Sequence, residues 1–138
     1  MKEAKKMISI ILTGHGEFAS GLYQSLKMIT GEQDYFQVIP YNGEALSDYQ
    51  KKLADVFIRE AHRAEGLLVL TDLLGGTPYR AASHELKGYQ NSLIITGVNL
   101  PLLIESTQSR LFIKDAHDLA DHLVTKGQEA IEERAAED

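Results

Sequence analysis

The chain has 138 residues, enough for one domain and little more. At 43% hydrophobic and 25% charged residues it has the composition of an ordinary globular protein, which excludes wholesale disorder. A net charge of −6 excludes a general attraction to nucleic acid or anionic membrane, and the absence of cysteine excludes disulfides, thiolate metal sites and cysteine nucleophiles.

The N-terminal stretch Met1–Lys6 is charged, and the apolar run behind it, Met7–Leu12, is too short for a signal h-region or a membrane span. A cytoplasmic protein is the expectation. Met7–Leu12 is β-branched and nearly continuous, as in a strand buried on both faces, and leads into Thr13-Gly14-His15-Gly16-Glu17. Phe18, Leu22, Leu26 and Ile29 then recur at helical spacing, with Gly31 as the stop. Phe36–Ile39 predicts a second strand ended by Pro40. Ser47-Asp48-Tyr49-Gln50 has the form of a capping box, followed by the apolar stripe Tyr49, Leu53, Val56 and Phe57.

Gly66–Thr71 predicts a third strand, followed by the loop Asp72-Leu73-Leu74-Gly75-Gly76. Thr77 reads as an N-cap with Pro78 at the first helical position, and Gly88 closes that helix. Ser92–Thr96 predicts a fourth strand. Gly97-Val98-Asn99-Leu100-Pro101 turns into a short helix, and a last helix starts at Asp115 with Leu119, Leu123, Ala130 and Ile131 inward. The acidic end, Glu129–Asp138, is expected to fray. This alternation predicts a three-layer α/β domain over 1–138, core about 7–131, with an open, mainly parallel four-stranded sheet and helices on both faces.

Open α/β sheets bind ligands at the carboxyl ends of the strands, where strand order reverses. In a 2-1-3-4 order, the loop carrying His15 and the loop carrying Asp72 meet in one crevice. A carboxylate that accepts the proton of one imidazole nitrogen fixes the tautomer and leaves the other free as a nucleophile. Gly14 and Gly16 would let a bulky group approach His15, and the helix starts near Phe18 and Thr77 would offer unpaired N–H groups to a phosphoryl group. These parts point to phosphoryl transfer through histidine. Each has a plainer reading: a turn histidine, an aspartate that caps the next loop, and a Gly75-Gly76-Thr77-Pro78 helix entry that lacks the lysine of a Walker motif. His117 and His122 are five apart, which does not suit zinc ligation from one helix face, and no metal or cofactor is expected.

Three stretches carry a resemblance: Ile11–Ala19, Asp72–Tyr79 with Ala81-Ala82-Ser83, and Gly97–Pro101. Together they resemble the enzyme IIA domain of the mannose/sorbose-type bacterial sugar phosphotransferase system over about residues 7–131. The resemblance implies a four-stranded parallel core in a dimer. It implies that His15 takes a phosphoryl group, through Nε2, from the phosphocarrier HPr and passes it to an enzyme IIB that serves membrane IIC and IID subunits. Asp72 would orient His15 through Nδ1, while Thr13, Gly14, Gly75, Gly76 and Thr77 shape the phosphoryl site, with Asn99 in the adjoining loop. Leu74 stands where an aromatic residue is frequent, and Arg80 where asparagine is common. Ending without a linker, the chain reads as a free-standing IIA. Three alternatives stand beside this reading. One is a regulatory phosphohistidine module. Another is the phosphotransfer subunit of dihydroxyacetone kinase, which usually lacks the Gly-Gly-Thr-Pro loop. The third is a histidine phosphatase, in which arginine stands where Gly14 is here.

Overall fold

In a computed structural model, which describes residues 6–137, strand and helix alternate in the predicted order. The strands are β1 (Ser9–His15), β2 (Phe36–Tyr41), β3 (Leu67–Thr71) and β4 (Ser92–Thr96). The helices are α1 (Phe18–Thr30), α2 (Leu46–Arg63), α3 (Thr77–Leu86), α4 (Leu100–Ser109) and α5 (Ala116–Glu129). The four strands form one parallel sheet in the order β2-β1-β3-β4. The expected 2-1-3-4 order is therefore the one observed. Residues 1–5 of the charged N-terminal stretch, and Asp138 of the acidic end, lie outside the described residues.

The central strands are apolar on both faces because helices cover both. Ile10, Leu12, Leu68 and Leu70 pack with Leu26, Leu103, Leu119 and Leu123 on the side of α1, α4 and α5. Their neighbours Ile11, Leu67 and Val69 pack with Tyr49, Leu53, Phe57 and Leu86 on the side of α2 and α3. Adjacent residues point to opposite faces, so an unbroken apolar run fills two cores at once. Each fully buried Leu or Ile contributes about 1.5–3 kcal/mol by removal from water.

Several boundaries differ from expectation, each for a local reason. Strand β1 begins later and runs to His15, so the histidine closes the strand instead of sitting in the loop behind it. Pro40 lies inside β2. There the carbonyls of Tyr35 and Tyr41 accept from Ile10 and Gly16 of the β1 chain, so odd positions face β1 and Pro40 faces the open edge, where no N–H is needed. The inward face of α1 is Ala19 and Leu26, with Leu22 and Tyr23 partly buried, whereas Ile29 is exposed. Helix α2 is capped at Ala45 with no side-chain bond, so Ser47 lies within its first turn and forms no capping box. The N-cap of α3 is Gly76 in extended conformation, which moves Thr77 and Pro78 one place into the helix. Ala130 and Ile131 fall beyond the end of α5 and are exposed, not inward.

The far end of the sheet is closed by a side chain that no pattern in the sequence marks. Arg110 is buried, and its guanidinium donates to the carbonyls of Ile8, Tyr35 and Asp34 and to the Gln33 side chain. Burial pulls its pKa down to about 10, and nearby Asp34 opposes the shift.

Candidate functional site

The crevice lies where the chain leaves β1 for one side of the sheet and β3 for the other, at the carboxyl ends of both. His15 ends β1 and Asp72 follows β3, and the two side chains meet. One Asp72 carboxylate oxygen, Oδ2, accepts both the His15 backbone N–H at 2.9 Å and the ring Nδ1–H at 2.8 Å. The aspartate side chain is 11% exposed and that of His15 is 46% exposed. Burial on its own would raise the Asp72 pKa. The two hydrogen bonds from His15, with the attraction of its ring, outweigh that and hold it below the ordinary 3.8. Asp72 is therefore a carboxylate at neutral pH, an acceptor only, and the tautomer bonded to it carries its proton on Nδ1. Nε2 is left with an in-plane lone pair, on a side chain that is nearly half exposed.

Glycine makes this approach possible at two positions. A Cβ on Gly14 would lie 2.9 Å from Phe18 and 3.1 Å from the Asp72 carboxyl carbon, so this glycine admits the aspartate, not the incoming group. A Cβ on Gly76 would lie 2.8 Å from His15 Cε1, so the α3 entry packs its bare backbone against the imidazole. Gly75 turns the loop at φ 82°.

The N-terminus of α3 is open. The first helical bond runs from Arg80 N–H to the Gly76 carbonyl, Pro78 has no N–H, and no side chain caps the helix. The N–H groups of Thr77 and Tyr79 are thus left at the positive end of the helix dipole. The Thr77 hydroxyl has no partner among the described residues. Helix α1, starting just after His15, is also uncapped. By contrast Asn99 caps α4 and Asp115 caps α5.

Two residues named with the site lie elsewhere. Thr13 is fully buried: its hydroxyl donates to the Ile39 carbonyl at 2.5 Å and accepts from Tyr49 at 2.5 Å, so it cannot face a group on an exposed ring. The Asn99 amide is spent at both ends, accepting from Leu102 N–H and donating to the Gly127 carbonyl. It lines a separate cavity with Thr96 and Gln128. Sequence reasoning also passed over Tyr41, which faces His15 across the β1–β2 register and meets its ring at 6.0 Å and 78°. A pairing of strand ends would have found it only with the register known. Among the described residues, the acids and histidines spaced to share an ion are Asp115, His117 and Asp118, all exposed. Asp115 also caps α5 and His117 lies 3.5 Å from Asp121.

The arrangement is that of an oriented imidazole nucleophile at the mouth of an open α/β sheet, beside helix ends suited to an anion. Comparison with known proteins shows the family. Residues 9–124 match the family model described as the phosphotransferase system (PTS) fructose IIA component. The chain is 37% identical over 112 residues to the PTS fructose-specific EIIA component of Bacillus subtilis, covering 79% of this chain and 76% of that protein. It is 30% identical over 129 residues to the PTS mannose-specific EIIAB component of Escherichia coli, covering 90% of this chain but spanning only 38% of that longer protein. Among solved structures, it superposes on the mannose/sorbose-specific IIA subunit of Enterococcus faecalis with a TM-score of 0.85 at 30% identity, covering 97% and 98% of the two chains. For the EIIA component of Streptococcus agalactiae the TM-score is 0.81 at 35% identity, with 92% and 97% covered. The protein belongs to the mannose/fructose/sorbose family of PTS EIIA components, the phosphocarriers of bacterial sugar uptake.

Proposed function

We propose that His15 is the residue of this EIIA component that carries the phosphoryl group, at Nε2, between phosphorylated HPr and an enzyme IIB. The observation that carries this reading is the His15 Nδ1 to Asp72 Oδ2 hydrogen bond, which leaves the Nε2 lone pair free on a nearly half-exposed side chain. In the forward step that lone pair attacks phosphorus, and the P–N bond to the HPr histidine breaks as the P–Nε2 bond forms. HPr leaves with the electron pair on its own nitrogen. Asp72 keeps the proton on Nδ1 and stabilises the positive charge that develops on the ring. The N–H groups of Thr77 and Tyr79 and the Thr77 hydroxyl receive the phosphoryl oxygens, Gly75 and Gly76 shape the space, and Gly14 makes room for the Asp72 carboxylate.

Onward transfer repeats the step with IIB as acceptor, and IIB serves the membrane IIC and IID subunits. Among the described residues no helix is long and apolar enough to cross a membrane. We place the protein in the cytoplasm as a homodimer, each chain one IIA domain. Two exposed leucines beside the site, Leu73 and Leu74, suit contact with protein partners. The test is the intact mass of the chain after incubation with phosphoenolpyruvate, enzyme I and HPr. An acid-labile gain of one phosphoryl group is expected in the wild type and none in His15→Ala. Labelling of His15→Ala would overturn the assignment.

A further inference from the structure

Two of the contacts that hold the imidazole are the Asp72 carboxylate at Nδ1 and the bare Gly76 backbone near Cε1. A third comes from β2. Tyr41 is the register partner of His15, and its carbonyl accepts the Gly16 N–H at 2.7 Å, which fixes the backbone on both sides of the contact. Its ring stands nearly perpendicular to the imidazole at 6.0 Å, within the range of favourable edge-to-face aromatic pairs.

The Tyr41 ring is itself supported from below. It packs on the Tyr49 ring at 4.8 Å, and Tyr49 is fully buried. The Tyr49 phenol donates to Thr13, whose hydroxyl donates to the Ile39 carbonyl of β2, so the hydroxyls of Tyr49 and Thr13 are both used. Burial pushes the Tyr49 phenol up to about 12, more than its hydrogen bond with Thr13 lowers it. Tyr49 therefore stays neutral and keeps its donor through the physiological range.

We propose that Tyr41 is a positioning residue: its ring blocks rotation of the His15 imidazole and keeps Nε2, not Nδ1, turned toward the incoming phosphoryl group. A flip of the ring would break the bond to Asp72 and sweep the imidazole edge through the space that Tyr41 fills. This inference rests on His15 being the acceptor.

The experiment uses phosphoramidate, a small donor that needs no docking surface; its P–N bond breaks with release of ammonia as the P–Nε2 bond forms. Wild type, Tyr41→Phe, Tyr41→Leu and His15→Ala are compared for labelling rate. The labelled nitrogen is assigned by phosphorus and nitrogen NMR, and thermal unfolding is followed for all four. Tyr41→Phe keeps the ring and is expected to label within about twofold of wild type, wholly on Nε2. Tyr41→Leu keeps apolar volume without the ring and is expected to label about five- to tenfold more slowly, with part of the label on Nδ1. A wild-type rate and pure Nε2 labelling in Tyr41→Leu would overturn the proposal, as would equal loss in Tyr41→Phe. Failure to label the wild type, or labelling of His15→Ala, would instead remove His15 as acceptor, and the proposal would fall with it.

Discussion

Gly76→Ala separates site geometry from stability more cleanly than any other single change. Gly76 has φ −73° and ψ 168°, which alanine adopts without strain, so the backbone has no reason to move. The added Cβ, however, would stand 2.8 Å from His15 Cε1, where ordinary contact begins near 3.4 Å. The ring must therefore retreat by about 0.6 Å, and the 2.8 Å bond from Nδ1 to Asp72 stretches toward the limit of hydrogen bonding. Displacements of this size cost about 10²-fold in transfer rate, because the nucleophile must be aligned with phosphorus. The stability change should stay within about 1 kcal/mol, since the altered group lies at the surface and no buried contact is lost. Phosphoramidate labelling measures the rate, nitrogen NMR of His15 reads the Asp72 bond, and thermal unfolding reads stability. Gly75→Ala is the matched control: it meets nothing within 4 Å but sits at φ 82°, so it should cost about 1–2 kcal/mol through backbone strain without moving the ring. A wild-type rate in Gly76→Ala, with the Asp72 bond intact, would refute the argument that this glycine is required by the imidazole.

Asp72→Asn keeps the shape but can donate to Nδ1, favouring the tautomer with the proton on Nε2. Labelling should fall by about 10²-fold or more, with the tautomer change visible by nitrogen NMR. Because the folded-state pKa of Asp72 lies below 3.8, its stabilisation is complete above that value and is lost as pH falls through the lowered pKa. Acid unfolding of wild type and Asp72→Asn should therefore converge below pH 3.8 and diverge above it. Tyr49→Phe removes one buried hydrogen bond and should cost about 1 kcal/mol in urea unfolding. Arg110→Met strands the carbonyls of Ile8 and Asp34, while that of Tyr35 keeps the Ile10 N–H. It should cost about 2–4 kcal/mol, while the labelling rate of the folded protein stays at wild type because the site lies at the other end of the sheet.

The fold was legible because its signals are periodic and local. Four apolar runs separated by amphipathic ones leave few arrangements besides a covered parallel sheet. The pair His15–Asp72 followed from strand order alone, since residues at the ends of two central strands must face one crevice. What escaped was set by offsets of one or two residues. Thr77 and Ser47 have the chemistry of N-caps, yet the chain enters each helix earlier, through Gly76 and Ala45, since loop geometry outweighed side-chain preference. Thr13 precedes Gly14-His15 on the strand face that His15 shares, but it lies two residues deeper, buried beneath α2, where its hydroxyl is spent on Ile39 and Tyr49. Tyr41 was invisible because its partner is 26 residues away and only the register brings them together.

The two ends of the sheet are finished on opposite principles, and that contrast bears on how the molecule works. At the amino ends of the strands, Arg110 gathers three carbonyls and a side-chain amide into one buried cluster, with only its Nε left without a partner. At the carboxyl ends, donors are left open: among the described residues the Thr77 hydroxyl has no partner, and α1 and α3 begin without side-chain caps. None of the described contacts to His15 is a cation; the ring touches a carboxylate, a glycine and a tyrosine. A phosphoryl dianion on Nε2 would thus be held by N–H and hydroxyl dipoles, on the same ring whose other nitrogen bonds a carboxylate. Dipoles hold such a group less tightly than an arginine or lysine clamp, and the carboxylate repels it. Weak retention suits a carrier, which must give up the group as readily as it takes it.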